Sequence, residues 1–275
     1  MNIQHRTIVV NGLATHFLEA GEGEPVVLLH GGEFGVSAEI SWERVIPVLS
    51  QRYRVLAPDM LGFGDSAKVV DFTDGRGMRI RHIARFCALL GIDSAHFVGN
   101  SMGAINILVD LTSAAPVLPV RSAVAICGGG EIQKNRHTAA LYDYDASLEG
   151  MQAIVEALFF DPSFPADEAY VRRRHESSIA PGAWESLAAA RFRRPGLDAA
   201  PAPSSKRAYE RIDVPVLVVE GAWDKLLPAG WAAEIAGQIT GGRSAVIDDA
   251  GHCPQIERPD VLADLLLKFF AGVTD

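Results

Sequence analysis

Apolar residues fall along the chain in two alternating textures. Short continuous runs at Pro25–His30, Tyr53–Ala57, Ala95–Gly99, Ala123–Cys127, Val214–Glu220 and Ser244–Ile247 predict strands buried on both faces. Helical patterns alternate with them at Trp42–Gln51, Met78–Leu90, Met102–Ala114, Ala229–Gln238 and Pro259–Phe270. Strand, helix, strand repeated in this way builds a parallel sheet covered by helices on both faces. Ahead of the alternation, Thr7–Val10 and Leu13–Glu19 flank Asn11-Gly12, a dipeptide suited to a type I′ hairpin turn. The expected fold class is therefore α/β: a mainly parallel eight-stranded sheet flanked by helices.

The alternation breaks once. From Glu131 to Lys206 there is no buried-strand run, only helical patches at Met151–Phe160 and Ala183–Arg193 and scattered prolines. Placed after the sixth strand, such an insertion reads as a helical cap. The expected division is a core of residues 1–130 and 207–275 and a cap, or lid, subdomain of residues 131–206. Pro201-Ala202-Pro203-Ser204-Ser205 would lead the chain out of the cap. There is no internal repeat and no low-complexity tract.

Composition narrows the partners. A content of 48% hydrophobic residues in 275 supports a sizeable core. A net charge of −9 argues against nucleic acid, whose phosphates demand clustered Lys and Arg. The basic stretches Arg172-Arg173-Arg174 and Arg191 with Arg193-Arg194 read as solvated faces. Cys87, Cys127 and Cys253 stand far apart, with neither zinc spacing nor a disulfide framework. Met1–Thr7 carries no leader-like apolar core, and no stretch approaches the roughly 20 apolar residues that span a bilayer. The expectation is a cytoplasmic protein acting on a small molecule, with no nucleic acid, no membrane, no metal and no organic cofactor. A homodimer or higher homo-oligomer is left open.

Candidate chemistry is concentrated at strand ends. Gly99-Asn100-Ser101-Met102-Gly103 follows a predicted strand and opens a predicted helix, the context of a Gly-x-Ser-x-Gly nucleophile elbow. The turn lifts the Ser101 hydroxyl above the sheet edge and aims the Met102 amide at a developing oxyanion. A serine hydroxyl needs a base. Among eight histidines, His252 follows the last strand in Ala250-Gly251-His252, on the edge that carries Ser101. His30 is its rival, but with Gly31-Gly32 behind it the better role is to buttress the loop bearing a second oxyanion donor. An imidazole in turn needs a carboxylate. Asp224 follows the strand Val216–Glu220 in Gly221-Ala222-Trp223-Asp224, whereas Asp248 and Asp249 lie too close to His252 in sequence to face its ring comfortably. Asp59, in Ala57-Pro58-Asp59, reads as a structural acid fixing the glycine-rich turn that follows it. The order Ser, Asp, His is that of an α/β-hydrolase.

With these residues in hand the chain resembles the meta-cleavage product hydrolases, α/β-hydrolases that cut a carbon–carbon bond in ring-opened catechols. It is most similar to the hydrolases of 2-hydroxymuconic semialdehyde and alkylbenzene ring-fission products. The resemblance covers nearly the whole chain. It is carried by Gly35-Val36-Ser37-Ala38, Tyr53 to Gly64, Gly99 to Gly103, Ser178-Ile179-Ala180-Pro181-Gly182 and Gly251-His252. It implies a triad of Ser101, Asp224 and His252, and hydrolysis of 2-hydroxy-6-oxohexa-2,4-dienoate-type products of aromatic degradation. It also implies oxyanion donors at Gly32 and Met102. Asn100 and a cap arginine, Arg174 or its neighbour Arg173, are the implied contacts for the substrate's dienol and carboxylate. Three positions depart from the family pattern and become candidates for setting the substrate: Glu33 in a loop usually glycine-rich, Ser41 where Asn is usual, and Cys253 where Trp is common. Glu33 is expected near the pocket mouth, where it would repel an anionic dienoate unless it points away or pairs with an arginine. The competing reading is a carboxylesterase or lactonase working through an acyl-enzyme. A non-catalytic ligand receptor is a third, which turnover of any ester would remove. Haloalkane dehalogenase and epoxide hydrolase chemistry both require a carboxylate at position 101, where this chain has Ser101.

Overall fold

Asn11 and Gly12 both take positive φ, 50° and 82°, as a type I′ turn requires. They join β1 (Gln4–Val10) to β2 (Leu13–Ala20) in an antiparallel pair. The computed structural model describes residues 2–189 and 207–273. Six further strands follow: β3 (Pro25–Leu29), β4 (Arg54–Pro58), β5 (Ala95–Asn100), β6 (Val120–Ile126), β7 (Val216–Gly221) and β8 (Arg243–Ile247). They form one sheet of order β1-β2-β4-β3-β5-β6-β7-β8, parallel from β4 to β8.

The buried runs divide by their period of two between two cores. Val27, Leu29, Phe97, Ala123, Ala125, Val216 and Val218 pack on one face, with the helices Gly75–Leu89, Met102–Leu111 and Trp231–Ala236. Val26, Leu28, Val98, Val124, Ile126, Leu217 and Val219 pack on the other, with Ala38–Trp42, Ile46–Leu49 and Pro259–Ala271. The chain steps from β3 outward to β4, then returns across β3 to β5. The loops leaving β3 and β5 therefore diverge to opposite faces and open a crevice at the carboxyl edge, where ligands bind in sheets of this kind.

The helix expected over Trp42–Gln51 is instead two short ones, Ala38–Trp42 and Ile46–Leu49. Ser37 caps the first through its hydroxyl, and Pro47 sits in the first turn of the second, where its missing N–H costs nothing. Trp42, Val45, Ile46 and Leu49 still reach one core, so the apolar spacing survives the break.

Among the described residues between β6 and β7 there is no strand. Helices run over Arg136–Tyr142, Leu148–Leu158, Ser163–Ala166, Glu168–Ser178 and Ala183–Ala188. They share a third core that includes Met151, Ile154, Val155, Leu158, Phe159 and Val171, joined by Phe34, Leu226 and Cys253 from loops of the sheet. The end of the expected Ala183–Arg193 helix, Arg191, Arg193-Arg194 and the Pro201–Ser205 exit lie outside the described residues. Glu168–Ser178 was hidden in the sequence by its charges. Asp167 caps it, and it buries Val171, Arg174 and Ser178. Arg172-Arg173-Arg174 is consequently not one solvated face: Arg172 is exposed, Arg173 pairs with Glu43, and Arg174 is fully buried. No helix among the described residues is long and apolar enough to cross a membrane.

Asp59 is the buried strut of the loop after β4. It accepts from Ala38 N at 2.7 Å, Asp65 N at 2.9 Å and His16 Nδ1 at 2.8 Å. Burial works against its charge, but the His16 hydrogen bond and the two amides hold its carboxyl below the usual range. The hydrogen bond to Asp59 outweighs burial at His16 and raises its pKa. The Asp59 contribution to stability is present above the unfolded carboxylate pKa and is lost as pH falls through the lower folded value. The His16 contribution is full below the unfolded imidazole pKa and is lost as pH rises through the higher folded one. Asp59→Ala should cost about 3 kcal/mol in urea unfolding, since it strands two amides. It should also remove most of the acid-side loss of stability, which unfolding curves across a pH series will read.

Candidate active site

β5 ends at Asn100 and the next helix begins at Met102, so Ser101 alone makes the turn. It does so at φ 49°, ψ −112°, a conformation that costs an L-residue on the order of 1–3 kcal/mol. Ser101 N donates to Ile126 O at 2.8 Å and Ser101 O accepts from Ile105 N at 2.9 Å, so the strain is held by backbone bonds. Side chains at the flanking glycines would prevent the approach. A β-carbon on Gly99 would run into the backbone of Gly103 and Ala104, and one on Gly103 into the carbonyls of Leu29 and His30.

His252 Nε2 stands 2.9 Å from Ser101 Oγ, and His252 Nδ1 stands 2.8 Å from Asp224 Oδ2. The other oxygen of Asp224 accepts from Leu226 N at 2.8 Å, so the carboxylate can only face the ring. Nδ1 then carries the proton, which leaves Nε2 able to accept from the serine hydroxyl. Burial disfavours the imidazolium, yet the charge and hydrogen bond of Asp224 outweigh it and raise the pKa of His252 above 6.5. Asp249 instead pairs with Arg258 at an exposed site, away from the ring.

His30 Nε2 accepts from Met60 N at 3.0 Å, so its Nδ1–H donates to Gly31 O at 2.7 Å. Full burial holds it neutral, and it braces the loop after β3. That loop brings Gly32 against Met102: a β-carbon on Gly32 would lie 2.9 Å from that of Met102. The next amide along, Gly103 N, is spent on His30 O at 3.2 Å. Met102 N is the first orphan donor of its helix, where partial positive charge gathers.

Asn100 and Arg174 are both fully buried, and the Glu33 charge is near enough to help raise the pKa of His252. Glu33 is not at a pocket mouth. Its side chain is 3% exposed and its carboxylate lies 3.1 Å from Nη2 of the buried Arg174, which draws it inward. Arg173 faces outward to Glu43 at 2.8 Å, so Arg174 is the arginine that the structure brings to the interior. Cys253 is buried beside this pair. Burial, and then the Glu33 charge, push its thiol well up. Ser41 is buried without a partner for its hydroxyl and lines a groove of about 240 Å³ with Tyr170, Arg173, Gln255 and Ile256, among whose lining residues Ser101 does not appear.

Three contributors were missed in the sequence. Glu257 accepts from Gly251 N at 2.6 Å and from Phe160 N and Asp161 N at 2.8 and 2.9 Å, tying the His252 loop to the helical insertion. Tyr170 places its hydroxyl 3.4 Å from Arg174 Nη1. Cys127 Sγ, an Asp224 oxygen and a His252 nitrogen lie within 4.8 Å of one another, a grouping of metal-ligand type that spacing along the chain does not show. The Asp224–His252 bond already occupies two of these groups, and burial raises the Cys127 thiol far above thiolate range. The set fits a thiol packed against Asp224 better than an ion. Its one sequence signal is position: Cys127 follows β6 as Ser101 follows β5.

The alpha/beta hydrolase family model matches residues 26–265. A 2-hydroxy-6-oxo-6-(2'-aminophenyl)hexa-2,4-dienoic acid hydrolase of Metapseudomonas resinovorans is 33% identical over 98% of this chain and 92% of its own. The chain belongs to the alpha/beta hydrolase family, among the meta-cleavage product hydrolases. A 2-hydroxymuconate semialdehyde hydrolase of Pseudomonas sp. strain CF600 is 31% identical over 97% of this chain and 93% of its own. Of solved structures, a meta-cleavage product hydrolase from Pseudomonas fluorescens IP01 superposes with a TM-score of 0.86 at 28% identity, covering 98% of both chains. This α/β-hydrolase thus shares nearly its whole length with enzymes named as hydrolases of meta-cleavage products.

Ser101→Ala should lower turnover by about 10³-fold or more while leaving thermal unfolding unchanged. In the parent, kcat/KM should rise with pH through a midpoint above the ordinary histidine value of 6.5, because the neutral ring is the base. Asp224→Asn removes what raises that pKa and leaves burial, so the midpoint of its residual activity should move down. A pH–rate profile of both proteins checks the shift; Asp249→Asn should leave it in place.

Proposed function

We propose that this α/β-hydrolase cleaves a carbon–carbon bond in a ring-fission product of the 2-hydroxy-6-oxohexa-2,4-dienoate type. The observation that carries the reading is the hydrogen-bonded line Ser101–His252–Asp224, in a chain related over its full length to enzymes of that name. Residues 131–206 act as a cap over a core of residues 1–130 and 207–275, and substrate lies between them.

Each group then has a task. The dienol first becomes a ketone, losing the proton on its C2 oxygen and gaining one at C5, with Asn100 and the Arg174 region holding the enol end. His252 next takes the Ser101 proton, and Ser101 or a water that it activates attacks the C6 carbonyl. The oxyanion falls to the amides of Gly32 and Met102. Collapse breaks C5–C6, the electron pair passing to C5 as a dienolate that takes up the proton held by His252; the acyl half leaves directly as a carboxylic acid where water attacked, or stays on Ser101 as an ester until a water deprotonated by His252 hydrolyses it and the serine proton is restored. Water is the only co-reactant.

Ester or lactone hydrolysis by the same three residues is the second reading, and one observation favours it: Glu33 already neutralises Arg174. An alkoxide leaves readily once protonated, so an ester needs no cation at the enol end. The enzyme is to be mixed with a yellow 2-hydroxy-6-oxodienoate and, in parallel, with p-nitrophenyl esters. The C–C reading expects rapid bleaching and the higher kcat/KM for the dienoate skeleton. Arg174→Gln should reduce bleaching by about 10²-fold, as loss of one preorganised donor does, and spare the small ester. Ester turnover with no bleaching at all would leave the esterase.

A further inference from the structure

The backbone around His252 is held by groups from four separate places. Gly251 N donates to Glu257 Oε2 at 2.6 Å, and Gly251 O lies 3.8 Å from the Cys127 thiol. His252 N donates to Leu158 O at 2.7 Å, and His252 O accepts from Asn100 Nδ2 at 2.9 Å. Glu257 alone of these carries a charge, and its two oxygens have separate duties. While Oε2 takes the Gly251 amide, Oε1 takes Phe160 N and Asp161 N at 2.8 and 2.9 Å. Lys225, the neighbour of Asp224, is its counterpart. Its ammonium donates to Glu156 O at 2.7 Å and Phe159 O at 2.8 Å, at the end of the helix Leu148–Leu158, where carbonyls lack partners of their own. The fit is close. A β-carbon on Gly251 would lie 2.6 Å from Leu158 O and 2.8 Å from Phe160 N.

We infer that Glu257 and Lys225 are positioning residues for the reaction, holding the loop of His252 against the loop of Asp224 through residues 156–161. Charge suits each to its task. The cation beside the acid gathers carbonyls of that segment, and the anion beyond the base gathers its amides, in bonds stronger than neutral ones. The two loops also touch directly, Trp223 N on Ala250 O at 2.9 Å. Glu257 and Lys225 therefore set the alignment of the Asp224–His252 bond and are not its sole support. Catalysis is sensitive to alignment, since a misplacement of about 1 Å can cost 10²-fold. The role is the same for ester and carbon–carbon hydrolysis, which draw on one triad.

Glu257→Gln is nearly isosteric. It keeps an acceptor for Phe160 and Asp161 and turns an NH₂ toward the Gly251 N–H, which breaks the arm to the base. Turnover is to be followed across pH with p-nitrophenyl acetate or a yellow 2-hydroxy-6-oxodienoate, whichever the parent consumes. In Glu257→Gln, kcat should fall by about 10-fold or more while KM stays within about twofold. The midpoint of kcat/KM should move down, because a ring less well aligned with Asp224 keeps the burial that disfavours its charged form and loses part of what offsets it. Asp224 and Glu33 are the charges that act on His252, and Asp161 and Lys225 stand around Glu257. Lys225→Met separates position from charge, and it also decides the matter should Glu257→Gln fail to fold by circular dichroism. Loss of a cation would by itself raise the midpoint, so a fall in this variant as well reports position. Ser147→Ala is the control. Ser147 caps the same helix at its far end, where its hydroxyl accepts from Gly150 N at 2.9 Å, so its loss should lower Tm and leave kcat and midpoint in place. An unchanged kcat in Glu257→Gln, a midpoint that stays or rises in Lys225→Met, or the same signature from Ser147→Ala would overturn the inference.

Discussion

The helix Met102–Leu111 is driven so close to β3 and β5 that the chain must reverse within one residue, and that residue is Ser101. Two glycines permit the approach, and a positive φ at the serine is its consequence. The same compression lifts Oγ to His252, frees the Met102 amide at the start of a helix and lays Gly32 beside it. Parallel β3 and β5, paired through Leu29 and Gly99, deliver both loops to one edge. The nucleophile and the oxyanion site are one solution to one packing problem.

The opposite half of the site hangs on a clasp. His252 N donates to Leu158 O at 2.7 Å, Glu257 gathers three amides from both sides of the junction, and Lys225 Nζ binds the carbonyls of Glu156 and Phe159. The loops carrying Asp224 and His252 are thus fastened to the helical insertion as well as to the sheet. A helical segment seated this way orients the base directly and also walls the interior.

Electrostatics divides that interior into two zones. Around the triad, Asp224 supports a positive charge that His252 acquires only during the reaction. Around Arg174, a permanent positive charge is balanced by Glu33 before any ligand arrives. The Arg174 zone sums close to zero at rest, while the Asp224 charge is held by its hydrogen bonds from His252 and Leu226; an isolated buried charge without such partners would be costly.

β3 to β7 were legible because a parallel strand buried on both faces must be apolar throughout, and the Asn-Gly hairpin placed β1 and β2; β8 lies where its run was read but is largely exposed, because it is the edge strand of the sheet. Ser101, Asp224 and His252 were legible as candidates because each directly follows such a run, and parallel strands end on a common edge. The Trp42–Gln51 helix was misjudged because apolar spacing is blind to a three-residue break that keeps Trp42, Val45, Ile46 and Leu49 on the same core. Glu168–Ser178 and Glu257 were illegible because their value lies in partners far along the chain. Spacing and residue type, by themselves, determined the α/β architecture and the edge on which chemistry could gather, since both follow from local burial patterns. Only the tertiary structure decided that the last residue of a run read as a solvated basic face, with Arg173 and Arg174 both open as the substrate's contact, becomes the fully buried Arg174, held by Glu33 141 positions away. Whether a charge is solvated or paired depends on what folds against it, and no local pattern carries that information.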